Sequence, residues 1–137
     1  MILYSINQYI QNDATLLSLA GKASITISPM IGYDEDTAPI IIYQYSPDIK
    51  SEDLYYMNHD TVWFTILDTD IARGFAIRNR IIALLNHGDN IQSKLIADTY
   101  GRLLYMNLYR SADRRPVNPE GYYEISSLFE FCWIPAN

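Results

Sequence analysis

The residues with the clearest potential for chemistry are one histidine and one cysteine. His59 lies between Asn58 and Asp60, and the single cysteine, Cys132, lies in the apolar stretch Phe129–Trp133. A nucleophilic cysteine needs a histidine base within hydrogen-bond reach and a group that orients the base. A cysteine in an apolar run is more often a buried, unreactive thiol. We therefore expect Cys132 to belong to the core, and we expect the protein not to be an enzyme.

Three adjacent acids, Asp34, Glu35 and Asp36, form the densest acidic cluster. Calcium loops of the EF-hand type alternate their ligands with other residues and add a central glycine and a distal glutamate. The triplet has neither feature, so we interpret it as a solvated acidic loop. The sequence also contains no glycine-rich phosphate loop and no nucleophile-elbow motif. It therefore predicts no cofactor and no metal site.

Arg110, Arg114 and Arg115 form the only basic cluster, and Tyr55 and Tyr56 form a tyrosine pair. The arginines suit either a phosphate or DNA contact or a salt bridge to an acidic protein neighbour. The acidic character of the whole chain favours the second alternative. Paired tyrosines are either a stacking platform or, within a strand, split between the core and the outer face.

The composition indicates a single domain with a protein-covered surface. The chain has 137 residues, of which 49% are hydrophobic, so it can bury a sizeable core. Charged residues make up only 19%, below the ~25% that is usual for soluble domains. Twelve residues are tyrosine, a type that is enriched at protein interfaces. We expect other subunits to cover part of the surface.

The charge is negative and unevenly distributed. The formal net charge is −6, which makes non-specific binding to nucleic acid unfavourable. Residues 1–70 contain ten acids and two bases, whereas residues 71–137 contain six acids and eight bases. One interpretation is an acidic and a basic flank that meet head to tail in an oligomer. The alternative is a solvated asymmetry without function.

No segment indicates contact with a membrane. No apolar run approaches the ~20 residues that span a bilayer. The first residues, MILYSINQYIQND, lack the basic and apolar regions of a secretory signal. We expect a soluble protein that is made in a reducing cytosol.

Hydrophobic periodicity predicts helices and strands in alternating groups. The predicted helices are Ile2–Gln11, Ala14–Ala20 (capped by Asn12 or Asp13 and stopped by Gly21) and Ile71–Asn86, stopped by Gly88. The predicted strands are Ser24–Ser28, ended by Pro29, then Ile40–Ser46, Thr61–Leu67, Leu103–Tyr109 and Tyr122–Ile134. Ile49–Asp60 and Ala112–Glu120 are predicted connections, and Ile91–Tyr100 fits either a helix or a strand pair.

This order predicts one α+β domain over residues 1–137, with a mostly antiparallel sheet and helices on one face. In the long helix, Ile71, Phe75, Ile82 and Leu85 share one face. We expect that face to pack on the sheet, joined by Ile77, Ile81 and Leu84.

The order of elements resembles the tail terminator, or tail-completion, proteins of long-tailed bacteriophages. The resemblance covers roughly residues 2–90 and rests on diffuse hydrophobic motifs. These are the N-terminal helix, Asp13-x-x-Leu16-Leu17 with Gly21, the strand ending at Pro29, Ala38-Pro39, Ile40-Ile41-Ile42-Tyr43-Gln44, an aromatic strand and the long amphipathic helix.

The resemblance implies a virion structural protein that forms a ring, hexameric in this family. The ring would cap the tail tube and present a surface to the head connector or stopper protein. DNA would be only passing cargo in its lumen. Two alternatives stay open: another neck or head-completion (stopper) protein, and a small ligand-binding α+β domain. The candidate subunit or tube contacts are Asp34, Glu35, Asp36, Tyr55, Tyr56, Arg73, Arg110, Arg114 and Arg115.

A charge exchange tests the asymmetry. Arg114→Glu with Arg115→Glu should slow or block ring formation, and Asp34→Lys with Asp36→Lys should partly restore it. Rim charges mostly set encounter rate and register. High salt should therefore weaken the wild-type ring, because the screening length falls from ~10 Å at 0.1 M to ~3 Å at 1 M. Rings and complete tails at normal yield from the double arginine variant would show that these charges do not direct assembly.

Overall fold

Three helices and six strands make up the part of the chain that the computed structural model describes, namely residues 2–29, 38–47, 58–87, 97–98, 101–114 and 121–135. The helices are α1 (Ile2–Gln11), α2 (Ala14–Ala20) and α3 (Ile71–Leu85). The strands are β1 (Ser28–Pro29), β2 (Ile40–Pro47), β3 (Asn58–Asp68), β4 (Ala97–Asp98), β5 (Gly101–Arg114) and β6 (Tyr123–Pro135).

The strands form one sheet in the order β1-β2-β3-β6-β5-β4. β1 and β2 are parallel, and the other four strand pairs are antiparallel. Side chains from all three helices join alternate side chains of the long strands in one core. The predicted α+β class, with a mostly antiparallel sheet covered by helices on one face, is confirmed.

The first two helices agree with their predicted bounds because their local signals are strong. α1 buries Ile2, Leu3, Ile6 and Ile10, which recur at helical spacing. α2 begins after Asp13, whose Oδ2 accepts a hydrogen bond of 2.9 Å from the amide of Leu16. It ends at Gly21, where φ is 69°, a conformation that favours glycine.

The first predicted strand is much shorter in the structure. Ile25 and Ile27 are buried and alternate with exposed neighbours, as predicted, but only Ser28 and Pro29 pair with β2. The amide of Ile27 instead donates to Oε1 of Gln11 at 2.8 Å. The side chain of Gln11 in α1 thus accepts the hydrogen bond that a backbone carbonyl of a neighbouring strand would otherwise accept.

Two strands extend into segments that were predicted as connections. β3 begins at Asn58 instead of Thr61, and β5 continues through Ala112 to Arg114. Both extensions contain polar residues, so the sequence lacks the alternating hydrophobic pattern that would predict a strand there. Their backbones nevertheless pair with β6 across the full register of the long central strands.

The predicted core face of α3 is partly wrong. Ile71 is 40% exposed, and Phe75 and Ile82 are only half-buried. The buried face consists of Gly74, Ile77, Ile81, Leu84 and Leu85.

Gly74 explains the rotation of α3. A Cβ built on this residue would collide with Cδ1 of Ile125 in β6. The missing side chain lets α3 approach the sheet at a point that a hydrophobicity pattern does not identify. The helix ends at Leu85 with Asn86 as its C-cap, before the predicted stop at Gly88, which lies outside the described residues.

Leu85 and Ile71 provide a matched test of this helix orientation. Leu85 is 0% exposed, so Leu85→Ala should lower the free energy of unfolding by ~2–5 kcal/mol through lost burial and a cavity. Ile71→Ala removes an isomeric, β-branched side chain from a position that is 40% exposed and should cost less than ~1 kcal/mol. Urea unfolding measures both. Equal losses at the two positions would contradict the orientation of α3.

Candidate interaction surfaces

The sheet carries a shallow groove on the face opposite the helical core, here called the outer groove. It has a volume of about 370 Å³. Its lining residues are Ile42, Gln44, Trp63, Thr65, Ala112, Glu124 and Ser126. These residues occupy positions that alternate with core residues along β2, β3, β5 and β6.

An aromatic residue and a cation lie side by side across the outer groove. The strand register places Leu128 between Trp63 and Arg110. The guanidinium carbon of Arg110 lies 5.4 Å from the centroid of the Trp63 ring. This cation–π contact holds an otherwise exposed arginine against the sheet and is worth about 0.5–1 kcal/mol at such a site. Arg110, a predicted contact residue, is thus presented together with a tryptophan.

The floor of the outer groove contains two hydroxyl groups that bond to each other. The hydroxyl groups of Thr65 and Ser126 form a hydrogen bond of 2.8 Å. A half-buried tryptophan, an exposed arginine and paired hydroxyls are typical of a protein contact surface. They do not provide a nucleophile with a base.

Arg73, another predicted contact residue, is bound within its own subunit. Its Nε and Nη2 atoms donate to the two carboxylate oxygens of Asp68 at 2.8 and 2.6 Å. Asp68 is fully buried, and the Arg73 side chain keeps 32% of its surface exposed. The hydrogen bond from this guanidinium to Asp68 raises the pKa of Arg73. A subunit contact at Arg73 stays a prediction, in addition to this internal role.

The other predicted contact residues are only partly located. Arg114 is the last residue of β5, where the backbone register pairs it with Glu124 of β6. The remaining six lie outside the described residues: Asp34, Glu35, Asp36, Tyr55, Tyr56 and Arg115.

A second ion pair was not predicted from the sequence. Nε and Nη2 of Arg80 donate to the carboxylate of Asp13 at 2.8 and 2.9 Å. This pair joins the cap of α2 to the middle of α3. The hydrogen bond from Arg80 is the main cause of a lowered pKa of Asp13, and partial burial opposes it. The sequence indicated Asn12 or Asp13 as the cap of α2, and it gave no signal for the distant partner of Asp13.

The strand register also brings His59 and Cys132 together. His59 Nδ1 lies 2.9 Å from the hydroxyl of Tyr105, and Nε2 lies 3.8 Å from Sγ of Cys132. Cys132 is 0% exposed, which confirms its predicted place in the core. Burial, and to a smaller extent Asp60, raises the pKa of its thiol. A thiol with a raised pKa is a weak nucleophile at neutral pH, so the proximity does not by itself make a catalytic pair.

Asp60 is a buried carboxylate with a structural role. Its Oδ2 accepts hydrogen bonds from the Tyr45 hydroxyl at 2.6 Å and from the Trp133 indole at 2.7 Å. Burial first, and then the bond to Asp60, raise the pKa of Tyr45. These contacts join β2, β3 and β6 at one end of the sheet.

The described part of the chain contains no cluster of three or more His, Cys, Asp or Glu side chains arranged to hold a metal ion. Within the same ranges, no helix has the length and apolar character to cross a membrane.

Comparisons with known proteins identify the fold. No protein-family model matches the chain, and no curated protein matches it in sequence. A chain in the solved structure of the virion of a native gene transfer agent (GTA) particle has a similar fold, with a TM-score of 0.70. The match covers 96% of this chain and 92% of that chain at 16% sequence identity. At this identity the likeness establishes a shared fold.

The Asp13–Arg80 pair gives a pH-dependent contribution to stability. A carboxylate whose pKa is lowered on folding stabilises the folded state above its unfolded pKa, near 3.8, and loses that contribution as the pH falls through the folded pKa. Asp13→Asn keeps a capping oxygen but removes the charge. At pH 7 the variant should lose up to about 1 kcal/mol, and the difference should shrink as the pH falls through the folded pKa of Asp13.

Asp70→Asn is the matched control. Asp70 caps α3 through a bond from the Arg73 amide, as Asp13 caps α2, but it forms no two-bond contact with a guanidinium. Denaturant unfolding between pH 2 and 8 measures both variants. A difference between Asp13→Asn and wild type that stays the same across this pH range would contradict this origin of the stabilisation.

Proposed function

We propose that this protein is a structural component of a phage-like virion. The observation that carries the proposal is the fold shared, over nearly the whole length of both chains, with a chain of the GTA particle. This mutual coverage supports a subunit of comparable size and architecture. Fold alone does not determine function, so the properties of the surface must also be compatible with assembly.

The exposed aromatic side chains are compatible with an assembled subunit. Tyr109 and Tyr4 are 64% and 67% exposed, and Trp63 and Arg110 form a stacked pair on the sheet. Aromatic residues and arginine supply much of the binding energy at protein interfaces. Their exposure in a chain with few charged residues supports a surface that is covered in the particle.

Within the virion we propose the role of a tail terminator. Copies of this chain would form a ring, hexameric as in the family that the sequence resembles, and cap the tail tube. The ring would bind the tail tube protein on one side and the head connector or stopper protein on the other. DNA would pass through the lumen. The negative charge of the subunit would disfavour binding of DNA there. This role needs no catalysis and no cofactor, and the protein would be made in the host cytoplasm before assembly.

Electron microscopy of the purified protein, alone and mixed with tail tubes, tests the role. We expect rings, and added density at one end of each tube. Tubes of a phage with an unrelated tail serve as the control and should stay bare. Binding to connectors but not to tubes would instead indicate a stopper or head-completion protein. A monomer that binds neither would contradict the virion role and favour a ligand-binding domain.

A further inference from the structure

We draw no further inference here: the strongest candidate, the outer groove with its Trp63–Arg110 pair on the sheet face opposite the helices, carries none because nothing in the structure shows what covers it.

Discussion

The buried carboxylate of Asp68 is the constraint on which the packing of the helices on the sheet depends. Its side chain has no exposed surface, and an unpaired charge in such a place would be strongly destabilising. Arg73 binds both oxygens, and the Asp70 amide donates to Oδ1 at 3.0 Å. These bonds join the last residue of β3 to the first turn of α3 and so fix the direction in which the helix leaves the sheet. In that direction the next residue, Gly74, lies against Ile125, whose Cδ1 atom would have to move to make room for a Cβ.

A second bidentate pair, Asp13–Arg80, binds α3 from the side of α2. Arg73 and Arg80 are seven residues apart, two helical turns, so they lie on similar sides of α3. In both pairs an acid from the first half of the sequence meets an arginine from the second half. Part of the charge asymmetry along the chain is therefore neutralised within the subunit. Charge counts for sequence halves could not reveal this, because the fold places β3 beside β6 and α2 beside α3.

The sequence predicted best the features that depend on neighbours along the chain. The bounds of α1, the cap of α2 by Asp13 and the αL glycine at position 21 follow from local hydrogen bonding and helical spacing. The rotation of α3 about Gly74 and the proximity of His59 to Cys132 depend on packing and strand register between distant segments. The outer groove depends both on a local sequence pattern and on packing between distant segments. Trp63 alternates in the sequence with the apolar residues Val62 and Phe64, which is a local pattern, whereas its contact with Arg110 depends on the position of β6 between β3 and β5.

Several charged groups already have partners inside the subunit, and this affects which groups could form contacts in an assembly. Arg73 and Arg80 already have carboxylate partners inside the subunit, and Arg110 lies against Trp63. The buried side-chain atoms that the described fold leaves without a hydrogen-bond partner are Oδ1 of Asn7, Nε of Arg78 and Oγ of Ser127, and the most exposed aromatic rings are those of Tyr4 and Tyr109. Exposed charges act over a screening length and mainly guide encounter and register. Buried aromatic contacts that satisfy a hydrogen bond act only at contact distance, and they determine how slowly a complex dissociates. Of the groups on the described surface, the exposed rings of Tyr4 and Tyr109 and the Trp63–Arg110 pair are therefore the ones from which a slowly dissociating contact could be built.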